Sequence, residues 1–173
     1  MYFCRMNIQK ANKELFAQAK ALRMCDEVHK AWYGKTLDVD DLAGLFYRNM
    51  DFCIDYRWPS RETLKNLFEK EDLRRNGIIV DDKWSLMNPT FATTIGQSRA
   101  NIRFNGFSVG KVCAFNDSAC IVTVKGHAKV IVHLYDKAFL SCTTRDSAQV
   151  TIMLHSENCL YSITGQATIK ECT

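Results

Sequence analysis

With 173 residues, 47% of them apolar, the chain holds enough material for one domain or two small ones with a real core. Its formal charge of +4 splits into about +1 up to residue 90 and about +3 beyond. The basic residues are scattered, as at Lys10, Lys20, Arg48, Lys65, Arg103 and Lys129, so no stripe marks a nucleic acid as partner.

The first ninety residues read as helices, because apolar positions recur at intervals of three and four. Ile8, Ala11, Leu15, Phe16, Ala19 and Leu22 form one stripe, and Val28, Ala31 and Trp32 form a shorter one that Gly34 ends. Thr36 or Asp38 then caps a third helix, whose acidic first turn, Asp40 and Asp41, suits the positive end of the helix dipole. Leu42, Leu45, Phe46, Met50, Phe52 and Cys53 supply its buried side, and it stops near Trp58-Pro59. Ser60 caps a further helix predicted over Arg61 to Arg75, with Gly77 ending it. Ile78 to Val80 is a short β-branched run between turns, and the stretch from there to about residue 90 reads as a junction.

From about Ser98 the chain repeats roughly every ten residues. Asp117-Ser-Ala119, Gly126-His-Ala128, Asp136-Lys-Ala138, Asp146-Ser-Ala148 and Gly165-Gln-Ala167 share one form, a turn-former, a polar residue and alanine, with Ser156 to Cys159 as a longer copy. After each the chain alternates, as in Ala128, Val130, Val132, Leu134 and in Ala148, Val150, Ile152, Leu154. Ala100, Ile102 and Phe104 form an earlier copy, with Gly106 to Gly110 as an irregular connection. Short strands that cannot bury a face alone gain a continuous core by stacking. The fold class expected is therefore α+β: a helical segment over 1–90 with a junction strand, then a parallel β-solenoid over 91–173 with about ten residues per strand-turn unit. An antiparallel meander is the alternative, since alternation alone does not separate the two.

On this register the inward residues stack like on like, Ala119 on Ala138, Ile121 on Leu140, Val130 on Val150 and Val132 on Ile152. One outer face then carries Lys129, His133, Gln149, Thr151 and His155. The other presents Cys120, Val122, Phe139 and Leu160 as an apolar stripe, the candidate interface, to be covered by the helical segment or by a second copy.

No chemistry assembles from the remaining motifs. Eight cysteines show no C-x-x-C pair and no zinc-finger spacing, and they read as buried, reduced thiols of a cytoplasmic protein. The residues Met1 to Ile8 lack the apolar core of an export signal, and no apolar run approaches the roughly 18 residues of a membrane span. Asp117, Asp136 and Glu157 are expected to stack at one corner of the coil as solvated turn residues. His133 and His155 are outward neighbours without an acid to orient them. Catalytic residues, a cofactor and metal ligands are accordingly not assigned.

The run Asp41-Leu-Ala-Gly-Leu-Phe-Tyr-Arg-Asn-Met-Asp-Phe-Cys-Ile-Asp-Tyr-Arg-Trp-Pro-Ser60, followed by the turn-x-Ala ladder, resembles an uncharacterised family of short bacterial and phage-associated proteins with a helical start and a β-solenoid end. That resemblance implies architecture and a bacterial or mobile-element setting, and no activity. The functional expectation is a non-enzymatic structural or protein-interaction module, partnered by itself or by another protein, without nucleic acid or membrane. A carbohydrate-binding or carbohydrate-cleaving solenoid is the alternative.

Overall fold

The computed structural model describes residues 7–172; Cys4 and the start of the chain, on which the expectation about an export signal rests, lie outside them, as does Thr173. The chain divides into two compact units, one ending at Asp72 and the other beginning at Leu73. No helix among the described residues is long and apolar enough to cross a membrane.

The first unit is built from α1 (Ile8–Ala21), α2 (Asp26–Trp32), α3 (Val39–Arg48), α4 (Met50–Asp55) and α5 (Arg61–Leu67), with α6 (Lys70–Arg75) running across the boundary. Side-chain oxygens of Asn7, Asp38 and Ser60 accept the backbone N–H groups of Lys10, Asp41 and Thr63, so three helix starts are capped. Ala11, Leu15, Ala19, Met24, Trp32, Leu42, Leu45 and Leu67 form its core. Inside that core sits one buried amide. Asn12 accepts hydrogen bonds from the Trp32 indole N–H and the Leu37 backbone N–H, both at 2.9 Å, and donates to the carbonyls of Ile8 and Leu37. All its polar atoms are engaged, which is the condition for burying an amide without loss. Two helices expected to be continuous are broken. Asn49, with φ −118° and ψ 36°, separates α3 from α4, and extended backbone at Phe68, φ −130° and ψ 145°, separates α5 from α6.

The second unit is the solenoid, and every strand pair in it is parallel. The meander is thereby excluded. Strands β1 (Ile78–Val80), β3 (Phe91–Ile95), β5 (Val109–Ala114), β7 (Lys129–Leu134), β9 (Gln149–Leu154) and β11 (Thr168–Glu171) form one sheet in that order. Strands β2 (Lys83–Met87), β4 (Arg99–Phe104), β6 (Ala119–Val124), β8 (Phe139–Thr144) and β10 (Leu160–Thr164) form the other. The ladder thus begins twenty residues earlier than about Ser98, since Ile78 pairs with Thr93 and Lys83 with Arg99. The stretch read as a junction is the first coil, and Val109-Gly110, read as an irregular connection, opens β5.

Between the sheets the inner residues stack in columns. Ala100, Cys120 and Leu140 form one, Ile102, Val122 and Cys142 the next, and Phe104, Val124 and Thr144 a third. Facing them are Gly110, Val130 and Val150, then Val112, Val132 and Ile152, then Ala114, Leu134 and Leu154. Val130 on Val150 and Val132 on Ile152 match the sequence register. Ala119 and Ile121 do not: they pair with Phe139 and Ser141 on the outside of the sheet.

The turns explain this slip. Positive φ recurs at Gly96, Gly106, Asn116, Gly126, Asp136 and Asp146, ten residues apart, so the counterpart of Gly126 is Asn116 and not Asp117. Glycine adopts that conformation freely, and Asn and Asp are the side chains that tolerate it best. These residues also stitch the coils together. The Asn116 side chain accepts the Gly96 N–H at 3.0 Å, Asp136 the Asn116 N–H at 2.9 Å, and Asp146 the Gly126 N–H at 3.0 Å. Each therefore bonds the turn one coil earlier; Asp136, expected as a solvated turn residue in a column with Asp117 and Glu157, stacks instead on Asn116.

Candidate functional site

The apolar stripe read from sequence is half inside the protein. Phe139 and Leu160 are exposed on the outer face of the five-stranded sheet, whereas Cys120 and Val122 are fully buried in its core columns. The pairing places Lys83, Arg99, Ala119, Phe139 and Leu160 in one outer column. Ser85, Asn101, Ile121, Ser141 and Ser162 form the second, and Met87, Arg103, Thr123, Thr143 and Thr164 the third.

These three columns make a surface of two unlike halves. Strands β6, β8 and β10 contain no charged residue at all, and there Ile121, Phe139 and Leu160 stand among serine and threonine hydroxyls. Strands β2 and β4 carry Lys83, Arg99 and Arg103 and no acid. A shallow groove of about 410 Å³ lies on this basic half, lined by Lys83, Ser85, Arg99, Asn101, Ala119 and Ile121 and by parts of Trp84 and Ala100. Trp84 belongs to an inner column, pairing with Ala100 at the first coil. The residue stays 41% exposed, and over its ring, 4.4 Å from the centroid, lies the Arg74 guanidinium, which Asp82 holds by an ion pair at 2.7 Å.

The opposite sheet holds an aromatic ladder at its edge. The rings of Phe115 and Tyr135 stack at 4.6 Å and those of Tyr135 and His155 at 4.2 Å, with His133 Nδ1 and His155 Nε2 2.9 Å apart. The two histidines are thus brought together as the sequence expects. One nitrogen must donate and the other accept, so the contact requires a neutral acceptor ring. Burial first, and the Lys111 ammonium second, hold the His155 imidazole below its ordinary value of 6.5. A proton therefore binds the unfolded chain more readily than the fold. The contribution is complete above about pH 6.5 and is lost as the pH falls from there through the folded value. We expect the urea midpoint to drop between pH 7.5 and pH 5.5 and the drop to shrink in His155→Phe, which keeps the ring stack; an equal drop in both proteins would place the sensitivity elsewhere.

Among the described residues, no group of three or more His, Cys, Asp or Glu side chains is placed to share a metal ion. The cysteines other than Cys4 are free thiols, and they differ in access. Burial pushes the thiols of Cys53 and Cys113 up to about 12 and those of Cys120 and Cys142 up to about 11. Cys25, by contrast, is exposed just ahead of α2, a departure from the reading of every thiol as buried. Because the thiolate is the reactive form, Cys25 should label within the first phase of a thiol titration at pH 8 and these four only after denaturation. Peptide mapping that finds Cys120 labelled as fast as Cys25 would refute the core assignment.

What sequence reasoning missed is the groove. Lys83 lies in the stretch taken as a junction, and Arg99, Asn101 and Ile121 come together only when the coil spacing is placed at 20 residues with Asn116 as the turn residue. The chain matches no protein-family model, no curated protein and no solved structure.

Proposed function

We propose that the protein is a non-enzymatic interaction module, a repeat scaffold whose uncharged half-face on β6, β8 and β10 docks a second copy of the chain. One observation carries the reading: across three neighbouring strands with no charge, Phe139 and Leu160 are in register and 40% and 65% exposed. Bare apolar side chains in such an uncharged field favour contact with another apolar surface over water.

Charge selects the partner. A twofold axis running along β8, parallel to the strands, sets the uncharged half against itself and carries the Lys83, Arg99 and Arg103 cations of the two copies to opposite ends, so like charges do not meet. Serine and threonine hydroxyls around Phe139 supply hydrogen bonds at the rim, the arrangement that protein interfaces share.

The test is molar mass by light scattering over a concentration series. The wild-type chain should associate, and Leu160→Asp or Phe139→Asp should weaken association at least tenfold while the circular dichroism spectrum is kept. A wild-type monomer at all concentrations, or folded variants of unchanged mass, would overturn the reading.

A further inference from the structure

We propose that the groove on the basic half of the same face, whose edge at Ala119 and Ile121 borders the docking half, is a binding site for a carboxylate-bearing sugar chain. Lys83 and Arg99 are direct neighbours in register on adjacent parallel strands, so their side chains rise from backbones about 4.8 Å apart. Two cations held side by side repel each other, and neither makes an ion pair with an acid among the described residues. An anion placed between them relieves the repulsion and offers the guanidinium the paired oxygens that its planar fork fits.

The neighbouring side chains define the rest of the ligand. Ser85 and Asn101, directly paired, stand two residues further along the same two strands, their backbones roughly 7 Å from those of Lys83 and Arg99 by the strand rise. That is about the width of one sugar ring, and a hydroxyl beside an amide can both donate to and accept from ring hydroxyls. Ile121, 53% exposed, continues the Ser85 and Asn101 column and gives the ring's C–H face an apolar surface. Ala119 is the smallest side chain in the Lys83 column and leaves the hollow open between Arg99 and Phe139. Carboxylate, hydroxyls and an apolar ring face are thus each met by a side chain of the matching kind.

A nucleic acid fits less well. Binding single strands calls for several rings on which successive bases stack, and the groove is lined by one, Trp84, which already carries the Arg74 guanidinium over its ring. The stripe of cations that follows a phosphate backbone is also missing, because beyond Arg103 the outer columns of β6, β8 and β10 hold no charge.

The experiment is titration calorimetry with galacturonic acid oligomers, their methyl esters, inorganic sulfate and a DNA oligonucleotide, run on the folded full chain. To keep association out of the readout, it is repeated on Leu160→Asp, which lies outside the groove. The acid oligomer should bind both proteins, the ester at least tenfold more weakly, and binding should weaken in high salt. Lys83→Gln with Arg99→Gln should abolish it, while Lys129→Gln on the other sheet should leave it unchanged. Equal binding of the ester, no binding of the acid oligomer, an unaffected Lys83/Arg99 variant, or sulfate or DNA binding as tightly as the oligomer would each overturn the proposal. Failure of the association test with oligomer binding retained would overturn only the dimer.

Discussion

Gly110→Ala should destabilise the solenoid by about 3 kcal/mol, the upper end of what overpacking a core costs. Gly110 opens an inner column, with Val130 and Val150 stacked behind it on the following coils. The space its side chain would take belongs to Phe104, a fully buried ring from the facing sheet. A Cβ there would fall inside the van der Waals envelope of that ring and 2.6 Å from the Pro89 carbonyl oxygen. A flexible side chain could swing aside, but a backbone carbonyl and a ring locked in a close-packed column cannot. Removing the ring alone, in Phe104→Ala, should cost about 3–5 kcal/mol through the cavity it leaves. The double variant should then cost less than the sum, because the alanine methyl occupies part of that cavity. Chemical denaturation of the four proteins closes the cycle. Strict additivity would show that glycine and phenylalanine do not share the space.

How much of this was written in the sequence depends on which physical signal is asked. Alternation declared the strands, and the β-branched run at Ile78 to Val80 was seen as well, but its place in the first coil was not. A strand three residues long has too few alternations to reveal a partner fifteen residues away, and Asn88-Pro89 looks like an ordinary turn. Parallel stacking followed from a recurring small residue beside each turn. The same clue misleads at one position: alanine looks like the marker, yet the small buried residue in the turn after β5 is Ser118, which matches Ala128 and Ala138 in place. Aligning Ala119 with Ala128 shifts β6 by one residue and turns every one of its side chains over. The uneven interval from Cys120 to Phe139 was the trace of that error, because the true neighbours are Ala119 and Phe139, twenty apart. The longer interval from Phe139 to Leu160 is real and reflects the extra residue in the turn at Ser156 to Asn158.

Two adjacent substitutions separate the two registers with the largest contrast the unit offers. Val122 is fully buried between Ile102 and Cys142, whereas Ile121, the residue before it, is 53% exposed on the outer face. An aspartate at 122 would put a carboxylate among apolar columns on both sheets, with no cation in the stack and only the weakly donating Cys142 thiol beside it. The effective penalty for an unpaired buried charge is several kcal/mol, comparable with the roughly 5–15 kcal/mol that holds a whole domain together. Protonation would lower the charge cost, but a thiol is too weak a partner to offset burying the acid's polar atoms. Val122→Asp is therefore expected to lose the cooperative melting of the solenoid. Ile121→Asp should stay folded within about 1 kcal/mol, as surface changes do. Had β6 been in the register that places Cys120, Val122 and Val124 outside, the result would be reversed, with Ile121→Asp unfolded and Val122→Asp tolerated. Circular dichroism melts of the two variants side by side decide between the two arrangements, since each pair of outcomes fits one face and not the other.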